Sequence, residues 1–257
     1  MLRQLGMRTS TTVVSVMLLS TSACSHQLYS PPARLVPLES ARTVPAGTTN
    51  VTARTSMSAA VFDPALGVVS GGIKHGLTDH LELDGDVSYA HLFQSDEHEV
   101  DPNVAAARVG LKGSTSGHNL AWMAGVGGGL APAAGAFVAT DIGAIVSYQN
   151  CYAVPFLAGQ AFMSLPAGAR EVTFSNGDRS KPVLTAGYGL GTGLEMPLTP
   201  ARCRSGENVP RLQVGVSVNV FSRTKDDDAT RVKDGVTTNT DTTYGAIGLG
   251  VGLSFPL

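Results

Sequence analysis

In the C-terminal stretch 247–255, apolar side chains recur at every second position. Ile247, Leu249, Val251, Leu253 and Phe255 share one parity, and Gly248, Gly250, Gly252 and Ser254 share the other. A period of two is the mark of a β-strand, whose successive side chains point to opposite faces. A sheet in water would set a polar face against that apolar row, but here the second face is nearly all glycine and presents solvent with no side chain. The pattern fits a wall whose apolar face meets hydrocarbon and whose other face borders a crowded interior.

Related alternation predicts strands at 50–62, 67–75, 81–93, 104–112, 119–130, 136–148, 151–163, 183–196, 211–222 and 243–255. Each is near or above the roughly 9–11 residues that a tilted membrane strand needs. Backbone groups in hydrocarbon find no water, so such a sheet must leave no edge. The expectation is an all-β protein, a transmembrane antiparallel up-and-down β-barrel of about ten strands, with eight as the alternative if two weak segments are loop. An even number returns the chain to the side from which it entered.

The connections alternate in length. Segments 76–80, 114–118 and 149–150 are tight, with 198–210 a longer exception on the same side. The other set comprises 63–66, 94–103, 131–135, 166–182 and 223–242, and its last two are the longest of all. The hairpin GIKHGLTDHLELDGDVSYAHL, with its Gly76-Leu77-Thr78-Asp79 turn followed by Leu81-Glu82-Leu83, and the terminal strand ending in Phe255-Pro256-Leu257 resemble small bacterial outer-membrane β-barrel proteins. The resemblance implies tight turns in the periplasm and long loops outside. It also implies outer-membrane lipid and lipopolysaccharide as surroundings, engagement by the barrel-insertion machinery through the last strand, and a protein partner at the outer loops.

The head of the chain differs. Arg3 and Arg8 precede the apolar run 13–19, and small residues 20–23 lead to Cys24, the form of a secretory signal peptide over 1–23. Thr21-Ser22-Ala23-Cys24 resembles a bacterial lipobox, which implies a lipid on the Cys24 thiol, and Ser25 after it implies delivery to the outer membrane. Residues 24–47, with Pro31, Pro32, Pro37 and Pro45 and no sustained period, read as a lipid-anchored periplasmic tether ahead of a barrel at 48–257.

Composition narrows the function classes. Of 257 residues 30 are glycine and only 15% are charged, with a formal net charge of −2, which argues against a nucleic-acid binder and against a disordered chain. Parity then places the charges. On the third strand Leu81, Leu83, Val87 and Tyr89 face outward and turn Glu82, Asp84, Asp86 and Ser88 inward; the same counting turns Arg54, Lys74 and Arg108 inward. Acid and base on neighbouring strands can pair. Glycines on the eighth and tenth strands, Gly187 to Gly193 and Gly248 to Gly252 at alternate positions, leave room for these long side chains. The lumen is therefore expected to hold a filled charge network, with a narrow ion or solute path as the rival reading.

Cys151 and Cys203 fall on the same periplasmic side by parity, which makes a disulfide between them sensible, two unrelated thiols being the alternative. No His accompanies them at ligand spacing, and neither a metal nor a cofactor is expected. Ser88, His91, Asp96, Glu97 and His98 near the outer end of the third strand admit an enzyme acting on lipid A or peptide, or simply a solvated loop. Residues 223–233, with three consecutive aspartates among basic residues, suit a saccharide or partner surface, or solvation. Trp122, Tyr148, Tyr152, Tyr188 and Phe255 have the placement of an interfacial aromatic belt. The sequence thus points to a surface-structural or interaction barrel, then to a narrow channel for secretion or polysaccharide export, and third to a barrel enzyme.

Overall fold

The computed structural model describes residues 30–60, 65–93, 103–131, 135–173, 179–199, 208–224, 231–233, 236–238 and 243–257. Ten long strands form one closed antiparallel barrel. They are β1 (Thr49–Ala60), β2 (Ala65–Thr78), β3 (Leu81–Phe93), β4 (Asn103–Ser114), β5 (Leu120–Ala131), β6 (Gly135–Ser147), β7 (Val154–Ala167), β8 (Thr185–Pro197), β9 (Arg211–Arg223) and β10 (Thr243–Pro256). Each strand pairs with its successor, and β10 closes the ring on β1, with Asn50 opposite Pro256 and Ala60 opposite Ala246. The Leu257 amide continues that seam by donating to Thr49 O at 2.9 Å. All ten predicted segments become strands, and the eight-strand alternative falls. Two short ribbons, Val172–Thr173 with Arg179–Ser180 and Arg231–Lys233 with Val236–Thr238, sit in the long connections.

Side chains divide by parity. Val87, Leu130, Ile142, Leu190 and Leu249 stand on the outer surface, Leu249 at 67% exposure, whereas Glu82 on the inner face is at 0%. Every charged side chain described on the ten strands lies buried or half-buried on the inner side. An outer surface of that composition loses nothing in hydrocarbon and is unfavourable in water by roughly 25 cal/mol per Å² of apolar area. Aromatic rings mark both ends of it. Trp122 on β5 lies across Gly113, its partner on β4, in space that a larger residue at 113 would need. Tyr148, Tyr152 and Phe255 are near the same end, and Tyr89 and Tyr188 near the opposite one.

One rim, the turn end, carries residues 79–80, 115–119, 148–153, 198–199 and 208–210 together with the start of β1 and the finish of β10. The other, the loop end, carries the finish of β1, β3, β5, β7 and β9 and the start of β2, β4, β6, β8 and β10. Short turns thus gather on one rim and the longest connections on the other.

Residues 30–47 depart from the expected lipid-anchored periplasmic tether of residues 24–47. From Ser30 on, the segment runs through the lumen as a strap. At the loop end the Ser30 amide donates to Thr185 Oγ1 (3.0 Å), and its hydroxyl meets Ser164 Oγ at 2.7 Å. At the turn end Gly47, with φ +72°, swings the chain into β1. There the Gly47 amide donates to Gly76 O (2.8 Å) and the Gly76 amide to Thr48 O (3.0 Å). The physical reason is volume: glycine-lined strands leave space that the inward charges of the far wall do not reach, and an extended segment fills it.

Candidate functional site

Three kinds of wall surround the strap. Strands β1 to β4 present charge, β5 to β7 present Met123, Ile145, Phe156 and Phe137 beside Asp141, and β8 and β10 present mostly glycine, with Gln213 and Asn219 of β9 between them. The strap matches each of them. Val36 and Leu38 lie against Gly189, Gly191, Gly215 and Gly250, where a Cβ added at Gly250 would come within 2.6 Å of Leu38. Val36 and Ala41 also join Met123, Ile145 and Phe156 in one apolar cluster, and Ala33 joins Phe137 and Ala139 in another. Of the glycines expected to make room for long charged side chains, Gly252 lies against Arg54, whereas Gly189, Gly191 and Gly250 make room for the strap's apolar side chains.

The charge network has two levels. At the upper one, Arg108 Nε and Nη2 donate to both carboxylate oxygens of Asp141 (2.6 and 2.8 Å), and Nη1 donates to Asp84 Oδ2 at 2.5 Å. Bidentate pairing of a planar guanidinium with a carboxylate is the strong, directional form of this contact. Arg34 of the strap adds donors to Asp84 (3.1 Å) and Asp86 (3.2 Å). Nearer the turn end, Glu39 of the strap accepts from Arg54 Nη2 (2.8 Å) and from Lys74 Nζ, and lies 3.7 Å from Lys112 Nζ. Glu82 lies beside them, accepting from Lys74 (3.3 Å) and from the Val44 amide (2.7 Å). Thus Arg54, Lys74, Glu82, Asp84, Asp86 and Arg108 are brought into one cluster. Its centre includes two residues that parity alone did not reach, Arg34 and Glu39.

The wall also supplies the hydrogen bonds that an unpaired extended segment lacks. Lys112 Nζ donates to Ser40 O (2.9 Å) and Arg42 O (2.7 Å), Ser164 to Pro31 O (2.7 Å) and Gln160 to Arg34 O (3.2 Å). Asn219 accepts from the Val36 amide at 3.4 Å and Ser147 from the Ala41 amide at 3.2 Å. Glu195 of β8, held by Gln213 (3.2 Å) and paired with Arg211 (3.4 Å), accepts from the Ser40 amide. A buried backbone group without a partner is costly, and Pro31, Pro32, Pro37 and Pro45 have no amide hydrogen to satisfy. Lys112, Asp141 and Glu195 were legible as inward by parity; Arg34 and Glu39 sit in a segment without a period.

At the turn end Thr43 donates to Asp79 O (2.7 Å), and the His118 Nδ1 lies 2.9 Å from Ser114 Oγ. His118 occupies the left-handed region at φ 51°. Burial first, then the positive charge of Arg42, holds its imidazole below the ordinary 6.5.

The remaining candidates are not drawn into this site. His91 Nδ1 lies 2.8 Å from Asn103 Oδ1, and the Tyr89 hydroxyl donates to the same oxygen at 2.5 Å. Asp96, Glu97, His98 and the 226–228 aspartates lie outside the described residues, as do Cys24 and Cys203. Cys151 is half-buried in the turn between β6 and β7. Among the described residues no group of three or more His, Cys, Asp or Glu is arranged to hold a metal ion.

No family model matches the sequence, and no curated protein matches it. Solved structures with a similar fold include neisserial surface protein A, 12% identical over 81% of this chain and 95% of that one, TM-score 0.37. An outer membrane channel from Pseudomonas putida F1 is 13% identical over 84% and 97%, TM-score 0.47. The beta domain of the Bordetella autotransporter BrkA is 10% identical over 82% and 100%, TM-score 0.47. These likenesses concern the course of the chain alone.

Proposed function

We propose that this protein is a bacterial outer-membrane β-barrel with a surface-structural or interaction role, whose lumen is kept closed by its own residues 30–47. The observation that carries the reading is the division of side chains: ion pairs and strap inside, uncharged apolar side chains outside. The turn end faces the periplasm and the loop end the exterior, the arrangement of bacterial outer-membrane barrels, which keep short turns on the periplasmic side and longer loops outside. Outer-membrane lipid and lipopolysaccharide surround the wall, the insertion machinery engages β10, and a protein partner is met at the outer loops. Cleavage after residue 23, a lipid on Cys24 and a Cys151–Cys203 disulfide complete the proposal. The lipid would appear as a mass increment on the N-terminal peptide. The disulfide would appear as a shift between reduced and oxidised samples on a gel.

A narrow channel is the second reading. What favours it is a set of polar atoms along the lumen with no protein partner, Arg34 Nε, Arg42 Nε, Arg54 Nε, Gln160 Oε1 and Gln213 Oε1, which suit a wetted path. Planar-bilayer recording separates the two. The plugged-barrel reading expects the full chain to be silent and a chain lacking 31–44 to show unit currents. Steady currents from the full chain, altered by Glu82→Gln, Asp84→Asn or Arg108→Gln, would establish the channel. Enzyme activity on lipid A or peptide is the third reading, and His91→Ala would abolish it.

A further inference from the structure

The direction of the strap has a topological consequence. It is fastened at the turn end, where Ala46 bridges to Gly76 and Gly47 leads into β1. Its contacts then climb the wall in order: Thr43 with Asp79, Glu39 with Lys74, Arg34 with Asp86, and Ser30 with Ser164 and Thr185. Ser164 lies close to the last residue of β7 and Thr185 is the first of β8, so Ser30 stands at the loop end of the lumen. A chain that enters the wall from the turn end has therefore already crossed the barrel once through its middle.

We propose that the chain ahead of Ser30 leaves through the loop-end mouth, so that the mature N-terminus lies on the outer face of the membrane. This rests on the outer-membrane reading and on the orientation given to the two ends. Whatever the N-terminus carries, including the lipid expected at Cys24, is then presented to the outer leaflet and not to the periplasmic one. The reach is sufficient. The six residues from Cys24 to Ser30 span up to about 20 Å when extended. The wall of a ten-stranded barrel stands roughly 10 Å from its axis, given strands about 4.8 Å apart and tilted by about 40°. The partner is thus the outer-leaflet lipid beside the barrel, reached over the rim.

The test uses the full chain in intact cells with three separately tagged forms: a short epitope between Gln27 and Leu28, one within 198–210 and one within 225–242. Antibody binding is compared before and after the outer membrane is permeabilised, and heat-modifiable gel migration confirms that each form is folded. The expected result is binding to the 27/28 and 225–242 tags on intact cells, with the 198–210 tag reached only after permeabilisation. If the 225–242 tag is reached on intact cells and the 27/28 tag is not, the threading proposal fails and the orientation stands. If 198–210 is reached and 225–242 is not, the orientation itself is wrong and the proposal falls with it. Gln27→Cys, labelled by a membrane-impermeant maleimide and compared with the parent, repeats the test with one altered side chain. Several-fold labelling above the parent on intact cells is expected, and equal labelling would overturn the proposal.

Discussion

Glu39 is the residue on which strap and wall depend most. Its carboxylate lies among Arg54, Lys74 and Lys112, whose other ion-pair partners among the described residues are Glu82 and Asp86. Removing one partner of a buried ion pair leaves the others uncompensated, and Glu39→Gln should destabilise the folded barrel by about 3–5 kcal/mol. Urea unfolding in detergent micelles would measure this. Adding Lys74→Met should recover part of the loss, and an unchanged midpoint in the single variant would show that the cluster is hydrated. Gly76 tests the same contact sterically. An added methyl group would run into the carbonyls of Val44 and Pro45, and Gly76→Ala should cost about 1–3 kcal/mol. Gly245 on β10 has nothing within 4 Å of an added Cβ and should accept alanine with little change in the same assay.

Strand and strap differ in how much of them the sequence discloses. A wall strand with one face in hydrocarbon has to alternate, which is why β10 and β3 could be placed to within a residue or two. β6 was harder on its inner face, since Phe137, Ala139 and Ile145 are as apolar as the outward Val138, Ile142 and Val146. The strap could not be read at all. Its prolines mark an extended backbone, and the same composition serves a solvated tether or a buried segment whose missing donors need no partner. Two expectations belong to elements. Leu249 lies midway along β10 on the outer face, and Leu249→Arg should destabilise by about 2–4 kcal/mol, whereas Tyr148→Arg near the rim should cost about 0–1 kcal/mol. Unfolding in lipid vesicles compares them. The 115–119 turn should respond to pH. His118 has its folded value below the unfolded 6.5, so the stability it contributes is complete above that pH. It declines as pH falls below 6.5 toward the lower folded value, because the unfolded state binds the proton first. Faster amide exchange at His118 and Thr115 at pH 5.5 than at pH 7.5, after correction for the intrinsic rate, checks this; His118→Gln should flatten the difference.

For the molecule as a whole, closure and filling are linked. The seam between β1 and β10 joins the two ends of the wall, Asn50 to Pro256, and is the pairing of greatest sequence separation. Residues 30–47 precede β1 and are present before that seam can form. The number of strands could be inferred without knowing what the ring enclosed, because outward positions report only on what lies outside the wall. The amount of glycine on β8 and β10 was a trace of the missing occupant.

A thread that passes through a ring and is tied to it at one end can slip out only by drawing its free end back through the hole. Any bulky group at that free end, beyond Ser30, would forbid the motion and leave the two parts mechanically interlocked. Loss of amide protection at Val44 and Gly47 would then coincide with rupture of the β1–β10 seam, whatever the strength of the ion pairs between them.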